Sequence, residues 1–286
     1  MIPRVELEAY LKPLSPEPAG LEPGGRLRAP VKSVLFDVYG TLFVSGSGDV
    51  GTARQQAKGA DLAALLARFD IRRSPQPLSE AFFSQIEAAH KKRRKAGVDV
   101  PEVEVDRIWM AVLATEDRSL ARRFAVEYEM IVNPVYPMPG LARTLEGCRA
   151  KGLALGMVTN AQFFTPWLFS WFLGKRPAAL GFEEDLQIYS YRLGRAKPSP
   201  ALFEAAVRRL AKRGIAPGEV LFVGNDMQND VAAAQQAGFQ TVLFAGDGRS
   251  LRLREQDPAC RGVTPDAVIT ELDQTLKLLE TGDEGR

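Results

Sequence analysis

The sequence is poor in the residues on which many enzymes and scaffolds depend. It has one histidine, His90, so no multi-histidine metal site can form and a serine–histidine relay would depend on that residue alone. Its two cysteines, Cys148 and Cys260, supply neither a disulfide framework nor a metal-ligand spacing, which fits a reducing cytoplasm. No apolar run reaches the roughly 18 residues needed to span a bilayer; the richest, Pro166 to Leu173, is far shorter. No basic-then-apolar leader opens the chain, and the expectation is a soluble, cytoplasmic protein. An excess of charge is missing too. The 37 Lys and Arg stand against 35 Asp and Glu, which argues against a nucleic-acid or membrane footprint. Nothing in the pattern fixes an oligomeric state.

What is present is enough apolar sequence, 45% of 286 residues, for a large core with one insertion. Residues 1–30 hold six prolines and read as an irregular arm. Val34-Leu35-Phe36 is a short continuous apolar run, the mark of a strand buried on both faces, and it ends at Asp37. From Ser45, SGSGDVG reads as a flexible connection. Four helices then follow to about residue 135. Leu62, Leu65, Leu66 and Phe69 form an amphipathic stripe. Ser79 is expected to cap a helix carrying Phe82, Phe83, Ile86 and Ala89 and stopped by Gly97. Pro101 suits the first turn of a helix bearing Ile108, Trp109, Val112 and Leu113, and Leu120, Phe124, Tyr128 and Ile131 mark the fourth.

After Pro139 helices alternate with apolar runs: Leu153–Val158, Leu186–Tyr191, Val220–Val223 and Thr241–Phe244. Such alternation predicts an α/β protein, a Rossmann-like doubly wound parallel sheet in three αβα layers, with the all-helical insertion as a second domain. The expected division is an arm over 1–30, a core over 31–44 and 138–280, and a helical cap over 45–137. Short hinges are expected near 45–50 and 133–138, and the charged tail after Leu279 is expected to fray.

Polar residues stand just past the ends of three apolar runs: Asp37, Thr159 with Asn160, and Asn225 with Asp226. In open parallel sheets that edge is where ligands bind. Individually such residues are common turn formers and helix caps; together and in this order, with Lys197 in the loop before a helix, they point to a site.

FDVYGTL (Phe36–Leu42), VTN (Val158–Asn160), RAKPSP (Arg195–Pro200) and VGNDMQND (Val223–Asp230) resemble the four motifs of the haloacid dehalogenase superfamily, and the helical insertion resembles that family's cap. The resemblance implies a hydrolase, foremost a Mg²⁺-dependent phosphatase acting on a small phosphorylated, anionic metabolite through an aspartyl-phosphate at Asp37. A carboxylate is nucleophilic at neutral pH without a base, and Mg²⁺ would relieve its repulsion from phosphate. Asp37, the Tyr39 carbonyl, Asp226 and Asp230 are the implied metal ligands; Lys197, Thr159 and Asn160 complete the catalytic group. The fourth motif admits two registers, Asn225 with Asp230 or Asp226 with Asp230. Asp226 is preferred because an amide holds Mg²⁺ less well than a carboxylate.

One residue departs from the phosphatase pattern. Where a second Asp would act as general acid and base stands Tyr39, a phenol with a reference pKa near 10. The same tyrosine occurs in metal-independent 2-haloacid dehalogenases, which would need a cap arginine; Arg68 is the nearest candidate, although Phe203 stands where their tyrosine would follow Lys197. A third reading is a fold that binds without turnover. Outside the motifs, the basic run Lys91–Lys95 is read as helix-end charge, with attraction of an anionic substrate to the cap as the alternative; His90, Trp109, Trp167 and Trp171 are read as packing, and Phe163 and Phe164 as either core or pocket lining.

Overall fold

The apolar run ending at Asp37 sits inside a sheet. A computed structural model describes residues 1–47 and 59–281. Its main sheet has seven strands: β1 (Gly24–Gly25), β2 (Ser33–Phe36), β5 (Ala154–Thr159), β6 (Phe182–Tyr189), β7 (Val220–Gly224), β8 (Gln240–Phe244) and β9 (Ala267–Ile269). The order is β1-β9-β8-β7-β2-β5-β6, with every pairing parallel except β1 with β9. Val34, Leu35 and Phe36 are fully buried between β5 and β7, as expected of a strand covered on both faces. Helices on both faces complete the Rossmann-like architecture. β9 and the edge strand β1 have no long apolar signature, and the alternation of the sequence does not reveal them.

Two short strands, β3 (Phe43–Ser45) and β4 (Val135–Pro137), pair antiparallel. They stand where flexible hinges were expected. The chain therefore enters and leaves the insertion through one ladder, reinforced by Asn133, whose Oδ1 accepts from Ser45 Oγ at 2.8 Å and Ser47 N at 3.1 Å. The remainder of the first hinge, residues 48–50, and the end of the tail, 282–286, lie outside the described residues.

The described residues of the insertion form four helices: α1 (Gly59–Arg68), α2 (Pro75–Lys95), α3 (Val105–Leu113) and α4 (Arg118–Val132). They bury aromatic rings against one another. Phe82 stacks on Trp109 at 4.3 Å, and Trp109 meets Phe124 edge-on at 4.7 Å. Two expected boundaries are corrected. Helix α2 starts four residues before Ser79, with Ser74 at the N-cap and Pro75 at the first position, where its fixed φ and missing N–H carry no penalty. Pro101 is outside α3 and forms an isolated bridge with Arg195 of the core. Leu120 is exposed; Phe124 and Tyr128 carry the buried stripe of α4.

The arm is irregular apart from a turn of helix at Arg4–Leu7 and β1, yet it is tied down at several points. Leu7 is fully buried, and Trp171 Nε1 donates to the Ile2 carbonyl at 2.9 Å. Glu6 pairs with Arg123 of α4. Trp109 and Trp171 pack in the core, both cysteines are free thiols, and no described helix is long and apolar enough to cross a membrane.

Candidate active site

The site is built at the C-terminal ends of β2, β5 and β7. Asp37 follows β2 directly, and its N–H donates to the Val223 carbonyl, so the ladder with β7 fixes where the carboxylate stands. The chain then turns sharply: the Val38 carbonyl accepts from the N–H groups of Leu42 and Phe43. Gly40 is needed there. Its φ is +81°, and a Cβ would come within 2.6 Å of Asn225 Nδ2.

Asp37 is only 6% exposed and Lys197 4%. Lys197 Nζ lies 2.7 Å from Asp37 Oδ1 and 2.5 Å from Asp230 Oδ1. Burial alone would lower the pKa of this ammonium, but Asp230 and Asp37 reverse that and raise it, so Lys197 stays charged. Asp230 is pushed up by burial, aided by the charges of Asp37 and Asp226 and opposed by Lys197. Two carboxyl groups and one ammonium thus stand together in a site nearly closed to solvent. Gly224 makes the arrangement possible, because a Cβ there would meet Asp230 Cγ at 2.4 Å.

The loop carrying Lys197 is held from the end of β5. Lys197 N donates to Asn160 Oδ1 at 2.7 Å, and Asn160 Nδ2 returns a bond to the Lys197 carbonyl at 3.2 Å. Beside it, the Thr159 hydroxyl is buried with no hydrogen-bond partner among the described residues. An unmet buried hydroxyl costs about 1–3 kcal/mol, a cost that an incoming anionic oxygen removes.

The fourth motif folds in a way its spacing does not reveal. After β7 the chain makes a wide turn, Met227–Ala232, in which Val231 N donates to the Asp226 carbonyl, an i→i+5 bond. The turn takes up the extra residue. Asn225 accepts from Thr41 Oγ1 at 3.1 Å and donates to the Ser250 carbonyl at 2.6 Å, which sets its amide against the loop after Asp37. Asp226 caps the turn by accepting from Gln228 N and Asn229 N, and its Oδ2 meets Arg254 Nη2 at 2.6 Å. In this arrangement Asp226 is engaged by Arg254 and the helix start, while its N–H donates to Asp230 Oδ2 at 3.0 Å and its charge helps raise the Asp230 pKa.

Tyr39 donates to or accepts from Thr165 Oγ1 at 2.9 Å. Burial first, and then the Glu129 carboxylate from α4, raise its pKa well above the usual phenol range, so it stays neutral. Arg68 is not at the site; it pairs with Glu127 and lies over the Tyr10 ring. Phe203 packs on Phe222 and Phe239 in the core, and Phe163 takes the Arg122 guanidinium on its ring at 4.3 Å. His90 is partly buried, and its pKa is lowered by burial and by Arg94 and Arg93. Of the basic run, Arg93 reaches the Gly194 carbonyl.

As a holder of Mg²⁺, the site offers hard oxygens: the carboxylates of Asp37 and Asp230, the Tyr39 carbonyl and the Asn225 amide oxygen. The chemistry of that donor set suits the ion. Among the described residues no three His, Cys, Asp or Glu side chains come together as a metal group; Asp226 is paired with Arg254. Sequence reasoning missed Thr41, Ser250 and Arg254, whose roles depend on loops folding back from 25 to 184 residues away.

The chain matches the haloacid dehalogenase-like hydrolase family model over residues 31–238. It is 26% identical over 260 residues to glyceraldehyde 3-phosphate phosphatase of Methanopyrus kandleri, covering 87% of this chain and 96% of that protein. To phosphoglycolate phosphatase of Shigella sonnei it is 28% identical over 226 residues, 74% of this chain and 80% of that one. The crystal structure of a 2-haloacid dehalogenase from Pseudomonas syringae pv. Tomato DC3000 shares its fold, with a TM-score of 0.58, 24% identity and coverage of 88% and 99%.

Proposed function

The chain belongs to the haloacid dehalogenase-like hydrolases, and on that premise we propose that it is a phosphatase acting on a small phosphorylated metabolite. The observation that carries this reading is the buried Asp37 carboxylate held by Lys197, with the unmet Thr159 hydroxyl at the end of the neighbouring strand. The relatives named as phosphatases act on phosphorylated compounds of two or three carbons, which supports a substrate of that size.

Asp37 attacks phosphorus, the ester P–O bond breaks, and the leaving alkoxide takes a proton from water; a second water then attacks phosphorus of the aspartyl-phosphate, its proton passing to the hydroxide left by the first, and phosphate leaves with Asp37 restored. Lys197 and Thr159 meet the charge on the phosphoryl oxygens, and Asn160 keeps Lys197 in place. Bound Mg²⁺ supplies neutralisation of the charge between Asp37 and the phosphate; Asp37, the Tyr39 carbonyl and Asp230 would hold it, with Asp226 joining only on leaving Arg254. Neutral Tyr39 cannot replace the missing carboxylate as acid and base, so substrates with good leaving groups are favoured. We assign 45–137 as a cap that closes over a core of 31–44 and 138–280, excluding water from the reaction, with 1–30 as an arm. The substrate enters between the two. The protein works as a soluble, cytoplasmic enzyme and uses neither nucleic acid nor membrane.

A second reading, metal-independent 2-haloacid dehalogenation, draws on one observation. Asp226 is tied to Arg254, which leaves the amide of Asn225 nearer the nucleophile loop. Against it, Arg68 is engaged away from the site by Glu127. One assay separates the two. Hydrolysis of p-nitrophenyl phosphate that needs Mg²⁺ and disappears in Asp37→Asn supports the phosphatase; halide release from a 2-haloacid without metal, and no ester hydrolysis, overturns it.

A further inference from the structure

The loop between α2 and α3 reaches from the insertion to the two core loops that hold the catalytic group. Its backbone pairs with the segment preceding Lys197: Ala196 N donates to the Val100 carbonyl at 2.9 Å, and Glu102 N donates to the Gly194 carbonyl at 3.2 Å. Arg93 of α2 adds a bond to the same Gly194 carbonyl at 2.8 Å. The Glu102 side chain turns the other way, toward the end of β5. Its Oε2 accepts from Ser190 Oγ at 2.7 Å, and that hydroxyl in turn accepts from Ala161 N, next to Asn160. Its Oε1 accepts from Val103 N, with Gln162 Nε2 at 3.4 Å. Gln162 completes the seam by donating to the Val103 carbonyl and accepting from Val105 N, both at 3.0 Å.

We propose that Glu102 is a positioning residue that clasps the cap to the core across the loops bearing Asn160 and Lys197, so that closing the cap sets Lys197 against Asp37. The inference rests on the reading of Lys197 as the cation that meets the substrate anion. The Glu102 carboxylate holds the flank of the second motif while its own N–H and the Val100 carbonyl hold the approach to the third, where Asp99 also pairs with Arg195 at 3.2 Å. Burial pushes the Glu102 pKa up, with the Ser190 hydroxyl and the Val103 N–H opposing. Those neutral donors come from the core and from its own loop, so lifting the cap strips the Ser190 and Gln162 bonds from Glu102 and four bonds from residues 194–196, the Asp99–Arg195 pair among them. Closure and the setting of Lys197 are then one event.

The test is hydrogen exchange of the full-length protein, which needs no activity, together with p-nitrophenyl phosphate kinetics. In Glu102→Ala, amides in the segment 193–199 are expected to exchange about tenfold faster, the loss of roughly one hydrogen bond to a charged group, while β7 keeps its protection. kcat/KM falls by about the same factor. Glu102→Gln, which keeps an acceptor for Ser190, restores most of both. Should Glu102→Ala fail to fold, Gln162→Ala removes the core half of the clasp and carries the same expectation. Unchanged exchange over 193–199, or equal loosening of β7, overturns the clasp. Wild-type protein that hydrolyses no phosphate ester overturns the phosphatase reading, and the exchange data still decide the clasp.

Discussion

Asp226 is held by Arg254 at 2.6 Å, while the residue before it, Asn225, lies against the nucleophile loop through Thr41. Adjacent residues therefore face two environments, the carboxylate engaged by a guanidinium and the amide by the loop after Asp37.

If Asn225 occupies the ligand position, Asn225→Asp raises the apparent Mg²⁺ affinity in phosphatase assays by about tenfold, because a carboxylate suits the hard ion better. Asp226→Asn leaves the Mg²⁺ response near wild type and instead lowers stability by about 1–2 kcal/mol, from the weakened cap and the lost ion pair. Mg²⁺ titrations beside thermal melts separate the two. The opposite pattern would return Asp226 to the metal.

Lys197→Met leaves Asp37 and Asp230 buried without their cation. We expect activity to be lost and stability at pH 7 to fall by about 3–5 kcal/mol. Without the ammonium, the burial that already raises the Asp230 pKa goes unopposed, so that carboxyl titrates higher in the folded chain than in the unfolded one. The variant is therefore most stable at low pH and loses stability as pH rises through the folded value. Denaturant melts from pH 5 to pH 8 should show the gap to wild type widening; a constant gap rejects the electrostatic account.

The Tyr39 hydroxyl is bound to Thr165 and stays neutral. Tyr39→Asp should raise turnover of an alkyl phosphate by about 10–100-fold relative to p-nitrophenyl phosphate, since proton transfer matters only for the poor leaving group. Tyr39→Phe should leave the aryl phosphate rate within about threefold and cost roughly 1 kcal/mol of stability. The ratio of the two substrates' kcat/KM is the measurement, and a ratio that Tyr39→Asp does not shift would remove Tyr39 from the explanation of slow ester hydrolysis.

Glu129 on α4 is raised in pKa by burial, with the Asn133 amide opposing. Its folded value lies above its unfolded one, near 4.3, so its contribution to stability is greatest below that point and is lost as pH rises through the folded pKa. Glu129→Gln removes this penalty. The variant should melt higher than wild type at pH 8, with the difference closing toward pH 4. A variant less stable than wild type at both ends would show that the carboxylate is favourably bound when charged.

Much of this protein is written in local pattern. Buried strands read as continuous apolar runs, and each of three runs delivers a polar residue to the same sheet edge because parallel strands share one direction; Asp37, Thr159 and Asn160 follow from that, and the motif resemblance adds Lys197. The insertion follows from helical periodicity. What only the tertiary structure decides depends on contacts between distant segments. The wide turn after β7 turns Asp226 to Arg254, 28 residues on, and leaves Asn225 beside Thr41, 184 residues back. β1 and β9 are strands because an open edge was there to pair with, and Pro101 left its helix for a bridge to Arg195. Periodicity records which side of an element is buried, whereas the partner that covers it is set by how the whole chain packs.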